Sequence, residues 1–587
     1  MPERQGGRSW WPLGLVALLA GALALRLWGV KQGLPYVYNV DEASNFVPTA
    51  IGFHFTDSWN PHYFVNPPGF SYLLYGVFGV WFGDQRDVAH AFATDPTETF
   101  TVARATAAVL GTAAVGFVYL AGARLYDRRV GLLAAAVMAV SFLAVFYSHL
   151  ALNDVPALLP LAVSIYGSAG VLVYGRRRDY AIAAAGLGLA AATKYTAGIA
   201  VLPLAAAIVG RAVSVPADRR RVLGGAGLAA TLAVAVFIAA NPHAVLSFDE
   251  FWDDLRRQQD AASGFGKLGL NYDSGIVYYL WTLTWGLGWV PLAAAALGAV
   301  VALRQDAWRG LMLVPWPVVF TLYMGLQDRF FGRWLLPAFP ALALLAGVGG
   351  VWLVDRLRAP GMRRVALAAV STALVAQGLV YSVHVDRVLS RGDTRNIVRD
   401  WMTANVPAGS KVVVEPIVPD AWFTDVGGRA ALEASVREGA ARSGRRWIKF
   451  ATARTAFDPA KPGGRGLPRF VSVESYERTL RPSLVGSYER GGYCWVVVGS
   501  TQYGRALVDP KEVPEAIAYY KQLARRGRLV FRSSPNGPGD GPVEFNFDWS
   551  FDYYPRAYER PGPSVAVYRL QGGRCGSGLT GESADRQ

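Results

Sequence analysis

Five short segments of this chain carry side chains able to move a proton or hold an anion. The first is Asn39-Val40-Asp41-Glu42-Ala43, an acidic pair just past an apolar run. A carboxylate near a lipid boundary is partly desolvated, which strengthens it as a base, so Asp41 could take the proton of an attacking hydroxyl. The alternative is local: an acidic residue at a helix start caps free N–H groups and meets the positive end of the dipole. The second segment is Tyr63-Phe64-Val65-Asn66-Pro67-Pro68-Gly69. Its paired prolines fix an extended approach to the next helix, a rigid turn that can also hold Tyr63 and Asn66 beside a ligand. Third is Asp154, within Ala151-Leu152-Asn153-Asp154-Val155-Pro156, where Asn153 or Asp154 caps a helix, serves a site, or does both. Fourth is Ala192-Thr193-Lys194-Tyr195-Thr196 between two apolar runs. Lys194 either snorkels or meets a fixed anion such as a phosphate, with Tyr195 beside it at the substrate cavity. In the fifth, Asp328 to Pro337, Arg329 and Arg333 stand four residues apart and fall on one face of a helix. A guanidinium fork suits phosphate oxygens, and snorkelling is the other account of such arginines.

The elements that must position these residues are apolar. Of 587 residues 52% are hydrophobic and 17% charged, with a mean hydropathy of +0.24, too apolar for a soluble multidomain protein. The net charge of +15 is not a nucleic-acid footprint, because the arginines recur in short clusters between apolar runs rather than in one patch. Runs long enough for a bilayer cover 11–30, 100–125, 130–147, 152–174, 180–193, 196–210, 222–240, 276–303, 311–326, 334–354 and 365–384. They predict a multi-pass protein of the plasma membrane with about eleven spans. The N-terminus resembles a signal peptide but reads as a retained first helix. With that end inside, the clusters at Arg128, Arg176 to Arg178, Arg219 to Arg221, Arg309 and Arg363 all fall on the cytoplasmic side. The same alternation exports residues 31–99, the turn at Asp154, residues 241–274 and everything after His384. Residues 68–82 read as a short interfacial helix, since a further span there would invert every later loop.

The expected division is a membrane catalytic domain at 1–384, with the external loop 31–99, and a soluble extracytoplasmic α/β domain at 385–587. In the latter, 411–414, 470–473, 493–498 and 565–570 read as strands and 512–525 as a helix, with loops at 462–468 and 533–542. Cys494 and Cys575 are a disulfide or two thiols.

Topology gathers Asp41, Glu42, Asp154, Lys194, Arg329 and Arg333 on one face of the membrane. Asp41-Glu42, Asn66-Pro67-Pro68, Arg104, Asn153-Asp154, Thr193-Lys194-Tyr195 and the stretch from Arg329 to Pro337 together resemble the GT-C superfamily of glycosyltransferases. The resemblance is closest to bacterial relatives of the dolichyl-phosphate-mannose protein mannosyltransferases and of the lipid A aminoarabinose transferases, and spans roughly 13–350. It implies a polytopic α-helical fold with juxtamembrane helices and inverting transfer from a polyprenyl-phosphate sugar to an extracytoplasmic glycan, lipid or protein. It further implies Asp41 as base, Glu42 and Asp154 at the acceptor site, and Lys194 with Arg329 or Arg333 on the lipid phosphate. Asn66 departs from relatives that carry a charged residue or metal ligand before the prolines. No metal is required, a divalent cation on Asp41, Glu42 or Asp154 stays open, and His54 and His62 read as loop or interface histidines rather than ligands. A secondary transporter or flippase would instead carry inverted repeats and ionisable groups near span centres. A non-catalytic glycan-binding membrane protein is the third reading.

Overall fold

The computed structural model describes residues 11–56, 58–262, 268–269, 274–423, 450–453, 473–541, 543–546, 548 and 553–576. Among them, six helical stretches are long and apolar enough to cross a membrane, including Pro96–Leu125, Pro216–Ala240 and Gly332–Asp355. Several expected spans fall short of that length because polar or proline-bearing turns interrupt them. The run at 130–147 splits into Arg128–Val140 and Phe142–Tyr147, with Ser141 at a non-helical ψ of 115°. That at 152–174 becomes helical only at Leu158, after the turn holding Asn153, Asp154 and Pro156. The last run extends further than expected, as Pro360–Leu389.

Small residues set how closely these helices pack, since backbones approach only where no Cβ intervenes. A Cβ at Gly298 would come 1.9 Å from the Leu345 carbonyl, and one at Gly349 would lie 2.1 Å from that of Ala294. These two positions bring Trp289–Gln305 and Phe339–Asp355 together. Asp95 starts the helix Pro96–Leu125 by accepting from the Thr97 N–H at 2.9 Å, with Pro96 where no N–H partner is needed. The apolar stretch at 68–82 forms the short helix Gly69–Phe82. Gly69 is required at its start, because a Cβ would sit 2.5 Å from the Ala192 carbonyl. That contact lays the Asn66-Pro67-Pro68 turn against the end of the helix Arg177–Thr193, directly before Lys194.

The C-terminal residues form a mixed sheet of β1 (Lys411–Val414), β2 (Ala451–Ala453), β3 (Tyr493–Gly499), β4 (Gly527–Ser533) and β5 (Val565–Leu570), in the order β2-β1-β3-β5-β4. β1 pairs in parallel with β2 and β3, and β5 pairs antiparallel with β3 and β4. Alternating side chains feed two cores: Val413, Val496 and Val498 lie on one face, Val412, Val414 and Val497 on the other. The predicted helix at 512–525 is present as Pro514–Arg526. The predicted strand at 470–473 is corrected at Val473, which opens a 3-10 helix, and its remainder lies outside the described residues, as does the loop 462–468. β4 was not anticipated; its burial does not alternate, so no two-residue period marks it. Cys494 and Cys575 are joined as a disulfide.

Candidate functional site

Asp41 ends an irregular entry to the π-helix Glu42–Phe46 and makes no capping hydrogen bond. Asn39 does that work, its Oδ1 accepting from the Glu42 N–H at 3.1 Å. The capping account of Asp41 is thereby corrected, and its carboxylate turns instead to Arg333, with which it forms a hydrogen-bonded ion pair. Glu42 points the opposite way. It is fully buried, accepting from Arg104 Nε at 2.7 Å, from Arg104 Nη2 at 2.9 Å and from the Ala151 N–H at 2.8 Å. It therefore ties three segments together: its own turn, the helix Pro96–Leu125 and the turn that carries Asp154.

Asp154 does not cap a helix either; the helix that follows begins at Leu158 with Ala157 at its cap position. Asn153 donates to the Thr193 carbonyl at 2.9 Å, fastening this turn to the end of Arg177–Thr193. There Lys194 adopts an extended backbone, φ −152°, which turns its ammonium inward. Its Nζ lies 2.6 Å from Asp154 Oδ1, and Arg333 Nε lies 3.8 Å from Asp154 Oδ2. The result is an unbroken alternation of charge, Asp41, Arg333, Asp154, Lys194, built from four distant parts of the chain. Its inner members are enclosed, with side-chain exposures of 14% for Arg333, 3% for Asp154 and 10% for Lys194; Asp41 is the open end at 40%.

Arg329 and Arg333 do not share a helical face. Residues 326–331 form a turn, and the 3-10 helix Gly332–Ala338 begins only after it. Proline at 337 and the double aromatic Phe330-Phe331 favour that tighter path over a regular α-helix. The two guanidiniums instead flank one ring, lying 5.5 Å and 5.0 Å from the centre of Phe331. Asn66 donates to the Tyr63 hydroxyl at 3.0 Å. Burial pushes the Tyr63 phenol up, the Asn66 bond opposes this, and the charges of Asp41 and Arg333 reach it as well. Tyr63 and Asn66 line a small recess with Asn45, Thr49 and the paired prolines. Tyr195 braces that loop from behind, its hydroxyl donating to the Phe64 carbonyl at 3.0 Å. His62 lies on the surface 3.1 Å from Glu250, and His54 Nε2 meets the Tyr75 carbonyl at 3.2 Å. Tyr147 was not singled out by sequence; its ring lies 6.0 Å from the Arg333 guanidinium. Nothing in the apolar string around it distinguishes it from a core tyrosine.

Comparisons with known proteins bear on the fold. Residues 96–245 match the family described as dolichyl-phosphate-mannose-protein mannosyltransferase. That segment contains Arg104, Asp154 and Lys194, whereas Asp41 and Arg333 lie outside it. The chain is similar in structure to ArnT from Cupriavidus metallidurans bound to undecaprenyl phosphate, with a TM-score of 0.52 and 13% identity, over 98% of this chain and 100% of that one. It is also similar to the apo oligosaccharyltransferase of Archaeoglobus fulgidus, with a TM-score of 0.51 and 14% identity, over 93% of this chain and 76% of that one. No curated protein sequence matches significantly. The chain therefore shares the fold of these two solved structures, and within it residues 96–245 are similar to the dolichyl-phosphate-mannose-protein mannosyltransferase family.

Proposed function

We propose that the protein transfers a sugar, with inversion, from a polyprenyl phosphate to an extracytoplasmic glycan, lipid or protein. The observation that carries this reading is the alternating series Asp41, Arg333, Asp154, Lys194, enclosed at its inner end and open at Asp41. Lys194 and Arg333 hold the donor phosphate, and Arg329, beyond the shared Phe331 ring, adds positive potential. The acceptor hydroxyl attacks the anomeric carbon, Asp41 takes its proton, and the bond from that carbon to the phosphate oxygen breaks. The electron pair leaves on the polyprenyl phosphate, whose new charge the two cations stabilise.

A guanidinium held against Asp41 lowers its basicity, which opposes the role of a base. Donor binding resolves the conflict. A phosphate oxygen competing for Arg333 loosens its pair with Asp41, so the base strengthens only when donor is present. Asp154 lies between Lys194 and Arg333 and offsets the repulsion of two like charges held close together in an enclosed setting. Glu42 acts through its pair with Arg104 as a positioning residue. A divalent cation on Asp41 and Asp154 would have to displace Arg333, which lies between them. The undecaprenyl phosphate of the similar ArnT supports a carrier of that chemistry. The arginine-rich loops support about eleven spans in a plasma membrane, with residues 385–587 outside as a soluble domain, and the Cys494–Cys575 disulfide suits that side. Mass spectrometry of envelope glycans, lipids and secreted proteins from a deletion strain is expected to reveal one product lacking a sugar, restored by the wild-type gene and not by Asp41→Asn. Restoration by Asp41→Asn would remove the base from this scheme.

A further inference from the structure

The chain beyond residue 540 sends side chains into the helical body, directly behind the charged series. Tyr553 is fully buried there, with its hydroxyl 2.8 Å from that of Tyr147. Trp285 and Phe146 enclose its ring, with centroids at 4.8 Å and 5.1 Å. Tyr147 is the residue whose ring lies 6.0 Å from the Arg333 guanidinium. Gly332 immediately precedes Arg333, and a Cβ there would meet the Tyr553 hydroxyl at 2.8 Å. Tyr553 therefore touches both the aromatic floor under Arg333 and the backbone that carries it.

A second contact grips the same loop. Asp548 Oδ1 accepts from the Tyr278 hydroxyl at 2.8 Å, and the Tyr278 ring packs on Phe330 at 4.6 Å. The Tyr553 N–H donates to the Asp548 carbonyl at 2.9 Å, so the two grips are joined through the backbone. Tyr554 holds a positive φ of 52°, which a bulky residue keeps only where its surroundings over-determine it. Its ring packs near Phe146, and the next residue accepts at its carbonyl from His384 Nε2, 3.1 Å away. The loop bearing Arg333 is thus held from one side by Asp41 and Asp154 and from the other by Asp548 and Tyr553. An ion pair alone fixes a distance but leaves a long side chain free to tilt. A hydroxyl pair locking the ring beneath it removes that freedom.

We propose that Tyr553 is a positioning residue for donor binding: through the Tyr147 hydroxyl and its contact with Gly332 it sets where the Arg333 guanidinium meets the donor phosphate. This rests on the reading of Arg333 as a phosphate ligand. It makes the C-terminal region a working part of the active centre rather than only an appended acceptor-binding unit, and the membrane part alone incomplete.

The test uses the full chain in detergent with undecaprenyl phosphate as probe, measuring Kd by native mass spectrometry or thermophoresis. Tyr553→Phe keeps the ring packing and removes one hydroxyl. It is expected to weaken binding roughly fivefold, the factor for one hydrogen bond. Tyr147→Phe should give the same loss, and the double variant no more than either single, because both remove one interaction. In an Arg333→Ala background, Tyr553→Phe should change nothing further. Tyr568→Phe on β5 serves as a control with wild-type affinity. Wild-type Kd in Tyr553→Phe overturns the proposal, as does additive loss in the double variant, or a loss that persists without Arg333. A lowered melting temperature with unchanged Kd also overturns it, showing a structural role only. Tyr553→Ala should bind more weakly still; if it does not fold, the phenylalanine variant decides alone. If wild-type protein does not bind the probe, or Lys194→Ala and Arg333→Ala leave Kd unaltered, the phosphate assignment itself is wrong, and that outcome is read independently of Tyr553.

Discussion

Replacing Arg104 by alanine should be among the most damaging single changes in this chain, though Arg104 touches none of the four charged groups in the series. Both Glu42 and Arg104 are 0% exposed, and Arg104 supplies two of the three hydrogen bonds that satisfy the carboxylate. Its Nη1 also donates to the Val30 and Gln32 carbonyls at 2.8 Å and 2.9 Å. Arg104→Ala leaves a carboxylate in an apolar interior with one backbone donor, a loss of about 3–5 kcal/mol. Glu42→Gln keeps the shape and two bonds' worth of oxygen, strands the guanidinium only partly, and should cost less. In Glu42→Gln/Arg104→Ala both charges are gone, so the double variant should be more stable than the sum of its parts predicts. Thermal inactivation at a fixed scan rate, read as the monodisperse fraction of detergent-purified protein, measures all four corners of the cycle. A wild-type midpoint for Arg104→Ala, or strict additivity in the double variant, would refute the reasoning. Turnover supplies a second arm. Folded Glu42→Gln should keep the wild-type pH profile at reduced rate, since its role is to position; a vanished acidic limb in that variant would move Glu42 into the chemistry.

Other consequences can be measured in parallel. Asp41→Asn should abolish transfer while retaining undecaprenyl phosphate binding, and a variant that turns over normally would exclude Asp41 as base. Lys194→Ala should weaken binding of the same lipid about 10- to 100-fold, the range for a charged hydrogen bond, with titration against the purified protein as the readout. In the C-terminal sheet, burial pushes Glu415 from 4.5 up to about 8 and Glu477 up to about 7. The folded state keeps protons that the unfolded state loses above pH 4.5, so the contribution of these two groups to stability is full below that pH and is lost as pH rises to about 8. Glu415→Gln should flatten the dependence of the unfolding midpoint over that window, and an unchanged slope would place its origin elsewhere. Opening the Cys494–Cys575 bridge, which closes a loop of sequence separation 81, should destabilise the C-terminal region by about 4 kcal/mol; equal protease resistance with and without reductant would contradict this.

The sequence was most legible where one physical rule dominates. Apolar runs announce helices because backbone groups have no partner in hydrocarbon, and loop arginines orient them. The six charged residues flagged at Asp41, Glu42, Asp154, Lys194, Arg329 and Arg333 stood out for the same reason: a charge beside an apolar run needs an explanation. β1, β3 and β5 were visible as short apolar strings, whereas β4, with its even mixture of exposed and half-buried residues, carried no period to read.

What local sequence left open is how those charges pair. Asp41 and Glu42 are adjacent and chemically alike, yet one backbone step sends Glu42 to Arg104 in the interior and Asp41 to Arg333 at the open end. Arg329 and Arg333 have helical spacing, but a turn and a 3-10 helix separate them, and both guanidiniums come near the ring of Phe331. Tyr553 lies more than 200 residues from Gly332 and gives no local sign of its contact there. Periodicity and hydropathy are properties of neighbours along the chain, so the sequence by itself determined a helical membrane protein with charges beside its apolar runs. Ion pairing and close packing are properties of neighbours in space; only the tertiary structure decided that Asp41 pairs with Arg333 at the open end, that Glu42 pairs with Arg104 in the interior, and that Tyr553 lies against Gly332.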